Sequence, residues 1–125
     1  MSLLSGVRVI DLTDDHGRFA TKLLTEFGAD VVRVTDAGSS GREVKNSDRG
    51  VLDWWYDGGK ERHLVNLATE SGRDEYRALA SVADLIVETQ APGKLAALGI
   101  GHSDLKSTNP RLVQVSITPF GQTGP

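Results

Sequence analysis

Val7-Arg8-Val9-Ile10-Asp11-Leu12-Thr13-Asp14-Asp15-His16-Gly17 sets the fold class. Val7 to Leu12 is short, largely apolar and β-branched, which suits a buried strand, and Thr13 to Gly17 then reads as a turn. Beyond the turn, Phe19, Ala20, Leu23, Leu24 and Phe27 recur at helical spacing, with Gly28 suited to end the helix. Asp30-Val31-Val32-Arg33-Val34 is a second strand. Strand, helix and strand in this order predict the right-handed βαβ unit of a parallel sheet.

The same alternation continues downstream. Residues 36–59 are rich in Gly, Ser, Asp and Arg, carry the aromatic knot Trp54-Trp55-Tyr56, and read as a loop of a length usually tied to function. His63-Leu64-Val65-Asn66-Leu67 has the pattern of a short strand. Thr69 is placed to cap a helix with Tyr76, Leu79, Ala80 and Ala83 on one face. Asp84-Leu85-Ile86-Val87-Glu88 is a further strand of the buried type. Pro92 opens a helical turn with Leu95 and Leu98, stopped at Gly99-Ile100-Gly101. Ser103 is positioned to cap one more turn, and residues 112–118 alternate like a last strand. Together these elements predict an α/β fold with a mostly parallel sheet. The final loop, Pro119-Phe120-Gly121-Gln122-Thr123-Gly124-Pro125, follows a strand directly, where a covering helix would be expected, so the chain reads as cut.

Composition narrows the function. The 125 residues hold 38% hydrophobic and 25% charged side chains and a formal net charge of -3, which fits one globular unit or part of one. Basic residues are interleaved with acidic ones, so no nucleic-acid or polybasic membrane footprint is expected. With no cysteine, disulfides, thiolate metal sites and cysteine nucleophiles are excluded. No apolar run approaches the ~20 residues of a membrane span, and the first residues lack a signal-peptide pattern, so a cytoplasmic protein is expected.

Several residues invite chemistry. Asp14 and Asp15 follow the first strand, where ligands bind in open parallel sheets, but the later strand ends Val87-Glu88-Thr89, without the aspartate a Mg²⁺ phosphoacceptor pocket needs. Gly17 opens a helix whose N-terminus suits an anion or a carbonyl, although a tight-turn glycine explains it equally well. The dinucleotide and Walker fingerprints are missing. His16 has the right chemistry for an acid or base, whereas His63 and His102 stand at no metal-ligand spacing from it, so no metal site is expected. Trp54-Trp55-Tyr56 either stack on an adenine or form a satellite hydrophobic cluster, and the cluster is the commoner fate of large aromatics. Lys60 and Arg62 either meet phosphates or are solvated.

The order of these segments resembles family III CoA-transferases of the CaiB/BaiF type over nearly the whole chain. Leu4-Ser5-Gly6-Val7-Arg8-Val9-Ile10-Asp11-Leu12 resembles the family opening, and residues 20–34 its A-x-x-L-L-x-D-L-G-A-[DE]-V-[IV]-K-[VI] stretch. Thr69-Glu70-Ser71-Gly72-Arg73, Ala83-Asp84-Leu85-Ile86-Val87-Glu88, Pro92-Gly93, Leu98-Gly99-Ile100-Gly101, Asn109-Pro110-Arg111-Leu112-Val113 and the closing Phe120-Gly121-Gln122-Thr123-Gly124-Pro125 follow in the family's order. Each motif is weak alone; their joint order and spacing are specific.

The resemblance implies that residues 1–125 are the N-terminal part of a Rossmann-like large domain from an enzyme moving CoA between carboxylic acids. It implies interlocked homodimers, CoA or acyl-CoA and a carboxylic acid as substrates, and no tightly bound cofactor. It also implies an aspartate nucleophile that forms an aspartyl-CoA thioester and lies beyond the closing motif, so that no catalytic residue falls within the chain and the isolated chain is inactive. CoA contacts are expected from His16, Gly17, Lys60, Thr89, Gln90, Pro92, Gly93 and Leu98. An α-methylacyl-CoA racemase segment and a non-catalytic binding or assembly module on the same scaffold are the alternatives.

Departures gather in the loops. The family's A-G-P reads His16-Gly17-Arg18 in a turn one residue short, its acidic residue after the second strand is Thr35, and only Lys60 survives of N-K-R-S. Glu88-Thr89-Gln90-Ala91 replaces E-N-[FY]-R and so lacks an aromatic wall, and Pro119 replaces a glycine. That pattern implies a kept scaffold with altered CoA contacts, as in one degenerate half of a two-copy protein.

Overall fold

The computed structural model describes residues 2–37 and 47–123, with 47–49 given by backbone alone. Its elements run β1 (Arg8–Leu12), α1 (Arg18–Glu26), β2 (Asp30–Asp36), α2 (Ser47–Asp57), β3 (Glu61–Val65), α3 (Glu70–Ser81), β4 (Leu85–Glu88), α4 (Lys94–Ala97), α5 (His102–Leu105) and β5 (Val113–Ser116). The strands form one parallel sheet in the order β3-β2-β1-β4-β5. The chain therefore builds outward from β1 to one edge, crosses back through α3, and continues on the other side of β1. This is the α/β class and parallel sheet that the strand-helix alternation predicts.

Alternation along the strands sorts the side chains into two layers. Ile10, Leu12, Val32, Val34, Val65 and Ile86 face one layer and join Tyr76, Ala80, Leu95, Ile100, Leu105 and Leu112 in the larger core. Each fully buried Ile or Leu there contributes about 1.5–3 kcal/mol. Val9, Val31 and Val87 face the other way and form a smaller core with Ala29 and the half-buried Leu24. Among the described residues, no helix is long and apolar enough to cross a membrane.

The T-x-x-G-R motif has a mechanical reading. Thr69 caps α3, its hydroxyl accepting from the Gly72 amide at 3.1 Å; such a cap contributes about 1 kcal/mol. A side chain at Gly72 would run into the Asn66 carbonyl. Arg73 then donates to the Leu67 carbonyl at 3.0 Å, closing the β3–α3 connection.

Three local expectations change. Residues 47–57, read as part of a loop, form helix α2, whereas residues 38–46 of that stretch and the final Gly124-Pro125 lie outside the described residues. Tertiary contacts hold α2. Trp55 stacks on Phe19 with ring centres 6.3 Å apart, Lys22 Nζ lies 4.3 Å from the Trp55 ring centre, and Arg18 sits over Tyr56 while pairing with Asp53. Trp55 and Tyr56 of the aromatic knot thus form a satellite cluster between α1 and α2, while Trp54 is exposed. Second, α1 turns its apolar stripe outward: Phe19, Leu23 and Phe27 are 51%, 40% and 49% exposed, while Arg18 and Thr21 are buried. Third, Gly101 rather than Ser103 caps α5, and the Asp104 carboxylate accepts from its amide at 3.0 Å.

Candidate functional site

Strand order reverses between β1 and β4, and open parallel sheets bind ligands in the crevice outside the carboxyl ends of such strands. Here the β1–α1 turn and the segment after β4 meet. Thr89 donates its amide to the Leu12 carbonyl at 3.3 Å, and its hydroxyl accepts from the Asp14 amide at 2.8 Å. Gly17, the N-cap of α1, has φ -126, a backbone that does not need glycine. A Cβ there would lie 2.7 Å from Thr89 Cγ2 and 3.0 Å from Thr13 Cγ2. Close approach of two walls, not turn conformation, explains the glycine, which corrects the tight-turn alternative.

The turn is internally paired. Gly17 and Arg18 amides both donate to the Asp14 carbonyl at 3.1 Å, and the His16 amide donates to Asp14 Oδ1 at 2.9 Å. His16 itself is exposed, with Nδ1 3.2 Å from the same oxygen. Partial burial pushes the Asp14 carboxyl up, but hydrogen bonding by His16 and Thr89 outweighs it and holds the group below the usual carboxylate range. Asp15 pairs with Arg18 at 3.2 Å.

Across the crevice, Gln90 donates its amide to the buried Glu88 carboxylate at 2.7 Å and accepts from Lys94 Nζ at 2.9 Å. Gly93 adopts φ +80, where a side chain would be strained, and beside it Pro92 is exposed. Leu98 is half-buried against the larger core. Deeper down, Tyr76 is buried with its hydroxyl unpartnered among the described residues; burial, and then the nearby Glu88 carboxylate, push its ionisation far up. The structure thus brings Gly17 against Thr89, with His16 in the same turn as Gly17, and Gln90, Pro92, Gly93 and Leu98 following Thr89 along the other segment.

Lys60 lies elsewhere. Its side chain is fully buried under α1, with Nζ 2.8 Å from Asp11 Oδ2, 2.9 Å from Thr21 Oγ1 and 3.5 Å from Asp57 Oδ1. Arg62 is exposed. Asp11 is completely buried and also accepts from Arg33 at 3.0 Å, from Thr21 at 2.7 Å and from the Thr13 amide at 3.0 Å. Burial opposes its charge most strongly, but Arg33, Lys60 and Thr13 together hold its carboxyl below the usual range. Apart from Lys60, this network was not among the expected site residues. Its signal was present all the same: an aspartate in the middle of a strand otherwise read as buried demands donors.

A five-stranded parallel sheet with flanking helices defines a Rossmann-like α/β layer. Residues 4–125 match the model of CoA-transferase family III, and the chain belongs to that family. It is 42% identical over 129 residues to subunit BbsE of succinyl-CoA:(R)-benzylsuccinate CoA-transferase from Thauera aromatica, covering 97% of this chain and 32% of that protein. It is 37% identical over 128 residues to succinyl-CoA:glutarate CoA-transferase from Homo sapiens, covering 98% and 29%. The crystal structure of the hypothetical protein Rv3272 from Mycobacterium tuberculosis matches with a TM-score of 0.85 at 32% identity, over 100% of this chain and 35% of that one. The chain therefore spans about a third of the length of the relatives it matches.

Proposed function

We propose that this chain is the CoA-facing N-terminal segment of an enzyme that moves CoA between carboxylic acids. The observation that carries the reading is the interlocking of Gly17 with Thr89 across the switch point, in a chain of this family. The reaction needs a carboxylate nucleophile, which lies outside these residues. It attacks the acyl-CoA carbonyl and expels the CoA thiolate, leaving a mixed anhydride. The thiolate then attacks the enzyme's own carbonyl of that anhydride, releasing the first acid and forming an enzyme thioester. A second acid repeats the two steps in reverse, so thioester energy is conserved throughout. His16, Gly17, Thr89, Gln90, Pro92, Gly93 and the open side of Leu98 supply CoA contacts. Lys60 supports that wall from beneath through Asp11. The parent works as a cytoplasmic homodimer without a tightly bound cofactor. A racemase is disfavoured because the matched relatives are named as CoA-transferases.

A non-catalytic module is the second reading, favoured by Asp14, whose carboxylate opposes an anionic ligand at the crevice mouth. Calorimetric titration of CoA into the chain separates the two. Saturable heat, reduced by Gly93→Val, is expected, together with no turnover of succinyl-CoA by the chain alone. Absence of heat at millimolar CoA would sink the first reading and support the second.

A further inference from the structure

We propose that Arg33 is a positioning residue that fixes the β1–α1 turn, one wall of the crevice, by tying the Thr13 carbonyl to the buried Asp11 carboxylate. Asp11 and Arg33 are register partners on adjacent parallel strands, so their side chains share a face beneath α1. Arg33 Nη1 donates to Asp11 Oδ1 at 3.0 Å, lies 3.1 Å from Thr13 Oγ1, and donates to the Thr13 carbonyl. Thr13 follows the last residue of β1, and the guanidinium supplies the donor for its carbonyl. Thr13 answers with its amide and its hydroxyl, both given to Asp11 Oδ1. On the opposite side, Thr89 takes the Asp14 amide. Two consecutive turn residues are thus gripped from two strands, Thr13 from β2 and Asp14 from the end of β4.

Arg33 gives the carboxylate both charge and position. Lys60 meets its other oxygen, Oδ2, at 2.8 Å and is shared with Asp57 at 3.5 Å, so Arg33 is the second cation of the group. Its position is also used: Asp11 Oδ1 and the Thr13 carbonyl both take their bonds from one nitrogen, Nη1, which carries two N–H groups and stands one bond further from the backbone than a lysine ammonium would. Arg33 therefore orients the turn that ends at Gly17 as well as balancing the buried charge. That this wall receives CoA rests on the function proposed above; the grip itself does not.

The test uses Arg33→Lys in the full chain, with Arg33→Met as a second variant, and reads amide hydrogen exchange by NMR without ligand, then CoA titration. In Arg33→Lys, the Asp14, His16 and Gly17 amides should exchange about tenfold faster while Ile10, Val32 and Ile86 keep their protection, the pattern of a local opening. CoA affinity should fall by a similar factor. Unchanged turn amides in both variants would overturn the proposal. So would a uniform rise across the sheet in Arg33→Lys, which marks a merely structural role. Turn amides that loosen while CoA binds neither protein would support the grip and count against the CoA reading instead.

Discussion

Gly17 and Thr89 define the crevice at atomic scale. The glycine's backbone is ordinary, so a substitution there meets only its neighbours. Gly17→Ala should cost about 1–3 kcal/mol, the usual range for overpacking, read as a lower urea midpoint. Adding Thr89→Ser removes Cγ2, the nearest clash at 2.7 Å, and keeps the hydroxyl that accepts from Asp14. The double variant should recover part of the loss, a coupling expected of residues in contact. Equal losses in single and double variants would place the clash on Thr13 instead. Sequence alone marks Gly17, but its tight-turn explanation fails, because close approach depends on a residue more than seventy positions away. Lys60, the one match to N-K-R-S, reads as a phosphate contact. A lysine in a polar stretch looks solvent-facing until the fold carries Asp11 to it.

The Asp11 network joins elements rather than atoms. It ties β1 to β2 through Arg33, to α1 through Thr21, and to the α2–β3 connection through Lys60. Asp11 has its carboxyl depressed in the folded state from a reference value of 3.8. Its contribution is therefore fully present above that value and is lost as pH falls through the lower folded one. Asp11→Asn would leave the buried Lys60 and the part-buried Arg33 facing a neutral amide, at a cost of about 3–5 kcal/mol, against a total stability of about 5–15 kcal/mol for such a domain. Urea unfolding near neutral pH should show that loss, and the gap between the two proteins should narrow as the pH is lowered through the folded value. An unchanged midpoint for the variant would refute the role. Elements governed by local rules were readable: the βαβ opening from its apolar strands and punctuating turns, and α3 from its threonine cap. Helix α2 was not, because its Asp-rich sequence follows a Gly- and Ser-rich stretch and its support comes from Phe19, Lys22 and Arg18 on another helix. The outward turn of α1 escaped for a related reason. Its inner face must satisfy a buried carboxylate, so polar Thr21 goes inside and phenylalanine stays out.

At the scale of the whole molecule, apolar surface is left over. Phe19, Leu23 and Phe27 form an outward stripe on α1, the α2 cluster adds Trp54 at 72% exposed, and Val113 and Val115 stand 55% and 43% exposed on the edge strand β5. Patches of this kind mark surfaces that bury against protein. The isolated chain should therefore sediment with a concentration-dependent coefficient, and Leu23→Glu should reduce that dependence. A sharp monomer at all concentrations would count against it. The topology also imposes an order of assembly. Asp11 meets Lys60 across 49 positions of chain, while the Asp14–Thr89 bond spans 75. On a ribosome, where the chain emerges from its N-terminus, the carboxylate lock has all its parts well before β4 exists. The crevice, whose second wall begins at Thr89, comes later: the parts of its floor are all in place when the opposite side is laid against it.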